Sequence, residues 1–160
     1  MKSTQIKSEI ILASKSKVRK EILEKNNINC RVISSNVDED PIKQSLIKEG
    51  ATPELISKNL AEIKATKVSS LNNDFLVLGA DSVIDLENNI ISKPENRIEA
   101  LEILKKLNGK EHYLISSVTI AKNGAMIWNY TDKAKLKMKH FNLDELKKYL
   151  SKISDHDLFS

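Results

Sequence analysis

The chain has 160 residues, of which 40% are apolar and 30% charged, with a formal net charge of +4 and a single cysteine, Cys30. These values predict one globular domain over residues 1–160 and exclude an internal disulfide framework. The sequence also contains no apolar run of the roughly 20 residues that a membrane span needs. Because the basic residues are nearly all lysines and aromatic residues are only 4% of the chain, nucleic-acid binding is not favoured. The lone cysteine, together with an N-terminus that lacks an apolar core, predicts a cytoplasmic protein.

The first half of the chain is predicted to alternate strands and helices. Residues 10–13 form a short apolar strand, and Ser16 is placed to cap a helix over about 17–27, with Val18, Ile22 and Leu23 directed inward. A second strand over 30–35 leads into an acidic turn at 38–41. A capping threonine followed by proline opens a helix from Pro53 to about residue 69.

The second half begins with an apolar run at 75–78, typical of a strand covered on both faces. The run breaks at Gly79-Ala80-Asp81-Ser82 and resumes at 83–84. A short strand at 90–91, a helix over 97–107 and a long hairpin about an Asn-Gly turn follow, with strands at 112–122 and 125 to about 141. A capping pair opens a last helix at 143–152. The order predicts an α/β fold with a mixed sheet flanked by helices.

The end of the first strand carries small hydroxyl residues and an arginine at the start of a helix. These are Ser14, Ser16 and Arg19. The N-terminus of a helix offers N–H groups and a partial positive charge to an anion, usually a phosphate. Neither a Walker A loop nor a Gly-x-Gly-x-x-Gly fingerprint is present in the sequence, so this segment is the best candidate for a phosphate site.

Carboxylates and lysines elsewhere in the chain could complete such a site. Asp81 directly follows an apolar run, at a position where open α/β sheets build their sites, although it could equally be a turn or capping residue. Glu39 is either a solvated turn carboxylate or a partner of Asp81 in holding a hard cation such as Mg²⁺. Lys64 and Lys93 are either surface lysines or, if they converge with Arg19, a cationic cradle for a triphosphate.

Taken together, these strings resemble the Maf-like proteins, which are nucleoside triphosphate pyrophosphatases related in fold to the inosine triphosphate pyrophosphatases. The resemblance covers almost the whole chain and preserves the order of the motifs. The matching strings are Leu12-Ala-Ser-x-Ser-x-x-Arg19, Asp38-Glu39, Ala61-x-x-Lys-Ala65, Leu78-Gly-Ala-Asp-Ser82 and Lys93-Pro94.

The resemblance implies hydrolysis between the α- and β-phosphates of a nucleotide, yielding a nucleoside monophosphate and pyrophosphate. It also implies a twisted sheet with a substrate cleft, a divalent metal ion, Mg²⁺ or Mn²⁺, and possible homodimerisation. Asp81 matches the family's general base, and Glu39 and Asp81 would hold the metal. The phosphates would be bound by Ser14, Ser16, Arg19, Lys64 and Lys93.

Two positions that bear on substrate choice depart from the family pattern. Val18 stands where dTTP/UTP enzymes usually have arginine and 7-methyl-GTP enzymes have tryptophan. Ser82 replaces the usual threonine or glutamine, and its likeness to threonine slightly favours dTTP or UTP over a modified nucleotide. The chain also ends before the family's C-terminal segment, so it resembles a truncated member. The alternative is therefore a catalytically impaired nucleotide-binding or regulatory protein.

Overall fold

The computed structural model describes residues 9–159, and these form six strands and six helices. The predicted order of elements is confirmed, apart from two helices over 39–48 and 155–159 that the sequence did not predict. The elements are β1 (Ile10–Leu12), α1 (Lys17–Lys25), β2 (Cys30–Val32), α2 (Glu39–Lys48), α3 (Pro53–Ser70), β3 (Val77–Leu86), β4 (Asn89–Ile91), α4 (Arg97–Leu107), β5 (Glu111–Lys122), β6 (Ala125–Lys137), α5 (Leu143–Ser151) and α6 (Asp155–Phe159).

The six strands form one mixed sheet. Its order is β2-β1-β3-β5-β6, and β4 also pairs with β3. Strand β1 is parallel to both of its neighbours, β2 and β3, whereas β4 is antiparallel to β3. The helices α1 and α3 lie in the connections between parallel strands, as such crossovers require. The predicted α/β class with a mixed sheet is thus confirmed.

Within the described residues the chain divides into two compact units. The first contains the chain up to Asp81 together with Ser116–Thr131, and the second contains Ser82–Ile115 and the chain from Asp132 onward. Strands β3, β5 and β6 contribute residues to both units. The prediction of one domain over residues 1–160, with a substrate cleft, stays a prediction.

The first unit is built around β1 and its neighbours. Ile11 and Val77 face each other across the parallel β1–β3 pair, and they cluster with Ala13 and Val68, all buried. Helix α3 supplies further buried apolar side chains along one face, which is the stripe expected of a helix covering a sheet. These side chains are Ile56, Leu60, Ala61, Ala65 and Val68.

The predicted inward face of α1 is wrong for Val18 and Ile22, which are 64% and 55% exposed. This nine-residue helix has no fully buried side chain, and Leu23, the third residue predicted to face inward, is half-buried. The start and cap of the helix are as predicted, because the Ser16 hydroxyl accepts a hydrogen bond from the Arg19 backbone N–H at 3.4 Å.

The predicted acidic turn at 38–41 is also wrong, because Glu39, Asp40 and Pro41 form the first turn of α2. Acidic side chains near a helix N-terminus interact favourably with its dipole, and a proline in the first turn loses no intrahelical hydrogen bond. The composition that suggested a turn is therefore equally typical of a helix start.

Strand β3 does not break at Gly79, as the sequence had suggested, but runs continuously through Asp81 and Ser82. A Cβ atom at Gly79 would collide with the Ala61 carbonyl oxygen and lie 2.7 Å from the Ala65 backbone nitrogen. The glycine therefore allows α3 to approach the strand closely, and it does not mark a turn.

The second unit contains α4 packed against α5. The guanidinium of Arg97 donates to the carbonyl oxygens of Leu150 and Ile153 at 2.9 and 2.8 Å, which satisfies one carbonyl group in the last turn of α5 and one just after the helix. Helix α5 begins with the capping box that the sequence predicts, formed by Asn142 and Glu145. Helix α6 was not predicted. None of the helices in residues 9–159 has the length and apolar character needed to cross a membrane.

Candidate functional site

The ammonium of Lys64 lies between two carboxylates in the first unit. Its Nζ is 2.8 Å from Glu39 Oε1 and 2.9 Å from Asp81 Oδ1. The Lys64 and Asp81 side chains are only 8% and 6% exposed, whereas Glu39 is 34% exposed. Three residues that the sequence suggested from three separate motifs are thus in direct contact.

The position of Lys64 follows from the way α3 packs on β3. The absence of a side chain at Gly79 lets the backbone of α3 approach the strand, and the fully buried hydroxyl of Ser57 donates to the Asp81 carbonyl oxygen at 3.2 Å. Pairing with β1 ends at Leu78, so Ser57 supplies a hydrogen bond to β3 beyond the end of the neighbouring strand. Both contacts place Lys64 beside Asp81.

One oxygen of Asp81 has no hydrogen-bond partner among the residues that the structure describes. Lys64 pairs with Oδ1, whereas Oδ2 is buried and unpaired. An unpaired buried carboxylate oxygen is costly in a structural role. This atom can therefore accept a hydrogen bond from water, a proton or a ligand.

The charge of Glu39 is controlled by its lysine neighbours. Partial burial acts to raise the pKa of the Glu39 carboxyl, but the hydrogen bond and charge of Lys64, with a smaller contribution from Lys43, outweigh it and lower the pKa below the ordinary value. Glu39 is therefore ionised at neutral pH. Lys43 lies 3.5 Å from the second oxygen, Glu39 Oε2.

The predicted anion segment is pre-formed at the end of β1. Ser14 is buried, and its Oγ accepts hydrogen bonds from the Ser16 backbone N–H at 3.2 Å and from Arg19 Nη1 at 3.1 Å. The Arg19 guanidinium thus folds back over the start of α1. Because β1 pairs with β3 up to Leu78, this segment leaves the sheet beside the part of β3 that leads to Asp81.

The remaining predicted site residues are Val18, Ser82 and Lys93. Val18 is exposed in the first turn of α1, between Ser16 and Arg19. Ser82 and Lys93 belong to the second unit, and both side chains are exposed. Ser82 follows Asp81 on the same strand and points to the opposite face, since side chains alternate along a strand.

The carboxylates of Glu39 and Asp81 provide donors of the type that Mg²⁺ and Mn²⁺ prefer. No cluster of three histidine, cysteine, aspartate or glutamate side chains suited to a metal occurs in the part of the chain that the structure describes. Two carboxylates are nevertheless sufficient where water and substrate phosphates complete the coordination of Mg²⁺. Glu39 Oε1 and Asp81 Oδ1 already converge on one cation, the ammonium of Lys64, so the residues fit such an ion.

Sequence reasoning missed two residues of this site. Ser57 has no motif of its own, and only its contact with the Asp81 carbonyl reveals its place. Lys43 lies four residues after Glu39 and makes an i,i+4 ion pair with it. That spacing could have been recognised if 38–41 had been read as a helix start.

Comparison with known proteins gives a consistent result over nearly the whole chain. Residues 9–157 match the family model described as Maf-like protein. A nucleoside triphosphate pyrophosphatase from Pelagibacter ubique (strain HTCC1062) is 66% identical over 152 residues, which cover 95% of this chain and 78% of that protein. A 7-methyl-GTP pyrophosphatase from Brucella abortus biovar 1 (strain 9-941) is 33% identical over 151 residues, covering 94% of this chain and 76% of that protein.

The fold also resembles a solved structure. A HAM1 protein from Coxiella burnetii superposes with a TM-score of 0.50 at 17% sequence identity, covering 81% of this chain and 72% of that chain. At this level of identity the similarity concerns the fold alone, and it agrees with the mixed α/β architecture described above.

Proposed function

Because the chain belongs to the Maf-like protein family, we propose that it works as a nucleoside triphosphate pyrophosphatase through the cluster of Glu39, Lys64 and Asp81. It hydrolyses a nucleoside triphosphate to a nucleoside monophosphate and pyrophosphate, as a hydrolase acting on acid anhydrides. The observation that carries the assignment of the site is Lys64 Nζ held at 2.8 and 2.9 Å from two carboxylates.

Asp81 is the proposed general base. Lys64 occupies Oδ1, so Oδ2 is the oxygen left to accept a proton. In the proposed step a water oxygen bonds to the α-phosphorus, its proton passes to Asp81 Oδ2, and the bond to the bridging oxygen breaks to release pyrophosphate. Such positioned bases contribute about 10²–10⁴-fold to rate.

The proposed binding of the triphosphate uses the segment after β1. The hydroxyls of Ser14 and Ser16, the guanidinium of Arg19 and the N-terminus of α1 form an anion site. Arg19 is already held toward this site by its 3.1 Å hydrogen bond to Ser14, so little side-chain ordering is needed when phosphate binds. Lys93 is a further proposed phosphate contact.

A divalent metal ion, Mg²⁺ or Mn²⁺, is the proposed cofactor, and Glu39 and Asp81 are the residues that would hold it. When bound, it would neutralise phosphate charge and polarise the phosphoryl oxygens. Support for this proposal comes from the carboxylate oxygens of both residues, because Glu39 Oε1 and Asp81 Oδ1 already share one cation, the ammonium of Lys64.

We propose dTTP or UTP as the preferred substrates, with a modified nucleotide as the alternative. The serine at position 82 supports the first choice, and Val18 offers neither a charge nor a stacking surface to a base. The relatives include both nucleoside triphosphate pyrophosphatases and 7-methyl-GTP pyrophosphatases, so direct comparison of substrates must decide.

The proposed location is the cytoplasm, supported by a single free cysteine, Cys30. A homodimer is the proposed assembly. Its support is two exposed, stacked aromatic side chains, Trp128 and Tyr130, on one face of β6 at the edge of the sheet, with Ile127 exposed on the other face.

The proposed function is tested by measuring pyrophosphate release from dTTP, UTP, 7-methyl-GTP and the common nucleoside triphosphates, each with Mg²⁺ or Mn²⁺. We expect turnover with a clear preference among the nucleotides. Metal-dependent nucleotide binding with no pyrophosphate release from any of them would instead support the non-catalytic alternative.

A further inference from the structure

We propose that Lys64 is the resident cation of the Glu39–Asp81 pair and that its ammonium competes with the divalent metal ion for these carboxylates. The inference deepens the proposed function, since it rests on these two residues as metal ligands. It assigns Lys64 a role in the nucleotide-free protein that differs from holding a phosphate. The ammonium and the metal ion would alternate at the same oxygens during each catalytic cycle.

The contacts of Lys64 show why the two cations compete. Its Nζ lies within 3 Å of one oxygen of each carboxylate, Glu39 Oε1 and Asp81 Oδ1, and the lysine side chain is only 8% exposed. The two carboxylates by themselves hold the ammonium in this position. A metal ion bound to both carboxylates would lie next to this positive charge in a poorly solvated site, where electrostatic repulsion is weakly screened.

The balance of charge points in the same direction. Lys64 neutralises one of the two carboxylate charges, and Lys43, 3.5 Å from Glu39 Oε2, compensates part of the other. The pair therefore attracts a divalent ion only weakly while Lys64 remains in place. Within the described residues Lys64 is the only cation paired with Asp81. The attraction of Asp81 for a metal ion therefore depends chiefly on whether Lys64 is in place.

A triphosphate would change this balance. Its oxygens offer the ammonium new negatively charged partners, and the release of Lys64 from the carboxylates would leave them open to the metal. Metal and nucleotide would then strengthen each other's binding, and by linkage the effect is equal in both directions. In the nucleotide-free protein Lys64 therefore pairs with both carboxylates.

The direct test compares Mn²⁺ binding by the unchanged protein with binding by Lys64→Met, without nucleotide at pH 8, using the electron paramagnetic resonance signal of free Mn²⁺. We expect Lys64→Met to bind Mn²⁺ about tenfold more tightly, because a buried positive charge beside the ligands is gone. The matched control is Lys43→Met, which touches Glu39 alone and is expected to change the affinity much less. Equal or weaker binding by Lys64→Met overturns the proposal.

A second measurement needs no substitution at position 64. The rate at which an amine-reactive acylating reagent modifies Lys64, followed by peptide mass spectrometry, should rise when Mn²⁺ is added, because the ammonium leaves its buried position. A rate that Mn²⁺ does not change overturns the proposal even if Lys64→Met fails to fold.

The two proposals can fail separately. If the unchanged protein and Lys64→Met both fail to bind Mn²⁺, the exchange is overturned, whereas pyrophosphate release is measured independently and decides the proposed function. The proposed coupling is checked with a nucleotide whose α,β-bridging oxygen is replaced by methylene. This analogue should tighten Mn²⁺ binding to the unchanged protein and have a much smaller effect in Lys64→Met.

Discussion

The hydroxyl of Ser57 on α3 donates a 3.2 Å hydrogen bond to the backbone carbonyl oxygen of Asp81 on β3. This bond joins the helix that carries Lys64 to the residue that Lys64 contacts. It lies beyond Leu78, where β1 stops pairing with β3. The candidate site is therefore supported by the packing of one helix on one strand.

Replacing Asp81 by asparagine should lower kcat by about 10²–10⁴-fold, because the amide keeps the shape of the side chain but cannot accept the proton of the attacking water. KM should change little in comparison. The measurement is steady-state pyrophosphate release. Asp38→Asn is the matched control, because Asp38 is exposed and makes no side-chain capping bond. Full activity in Asp81→Asn would remove this residue from the mechanism.

Replacing Arg19 by alanine should raise KM for the nucleotide by about tenfold to a hundredfold, since a hydrogen bond involving a charged group contributes about 1.5–3 kcal/mol. The loss of affinity should be smaller for a nucleoside monophosphate, measured as a competitive inhibitor, because it offers fewer phosphate oxygens to Arg19. Lys20→Ala is the control on the same helix, because Lys20 pairs with Glu24 on the exposed surface. An unchanged KM in Arg19→Ala would contradict the phosphate role.

Replacing Val18 should alter substrate preference without loss of stability. Its side chain is 64% exposed, so Val18→Arg and Val18→Trp should each change the free energy of unfolding by no more than about 0.5 kcal/mol. The arginine adds a charge near the anion site, whereas the tryptophan adds a stacking surface for a base. We expect the ratios of kcat/KM among dTTP, UTP and 7-methyl-GTP to differ between the two variants. Identical ratios in both would rule out position 18 as a specificity residue.

Glu39 should make folding stability depend on pH in the acidic range. Because its pKa is lowered from the ordinary value of 4.5 in the folded protein, its ionised form stabilises the fold above pH 4.5. This contribution is lost as the pH falls through the lowered value. Urea unfolding of the unchanged protein and Glu39→Gln in EDTA should therefore show a stability difference at pH 7 that shrinks below pH 4.5. A difference that stays constant down to pH 3 would contradict the ion pair.

Replacing Gly79 by alanine should destabilise the fold by at least about 1–3 kcal/mol, the usual cost of overpacking a tight core. The added Cβ meets backbone atoms of α3, at Ala61 and Ala65, which cannot move aside as a flexible side chain would. Displacement of α3 should also move Lys64 away from Asp81 and lower kcat. Urea unfolding and pyrophosphate release measure the two effects, and a variant of full stability would show that the close helix contact is absent.

Much of the architecture was predictable because local signals agree with the final structure. The helix over 97–107 and the capping box at Asn142 were placed correctly. The Asn123-Gly124 turn was also correct, since both residues have the positive φ angles that this hairpin turn requires. Each of these features depends on backbone geometry within a few neighbouring residues.

The errors occurred where local composition permits two structures. The acidic residues from Asp38 suit both a turn and a helix start, and the glycine at position 79 suits both a turn and a close helix contact. Val18 and Ile22 have helical spacing, but spacing alone does not show whether anything covers the helix face. In each case packing against distant residues decides the outcome.

The sequence by itself determined most of the strand and helix order, the cap at Ser16 and the identity of the charged residues that could bind a nucleotide, because these depend on neighbouring residues and side-chain chemistry. Only the tertiary structure decided that Glu39, Lys64 and Asp81 share one ion-paired cluster while one oxygen of Asp81 remains unpaired. Their three motifs are far apart along the chain. Their contact depends on α3 packing closely over Gly79, which no local pattern encodes.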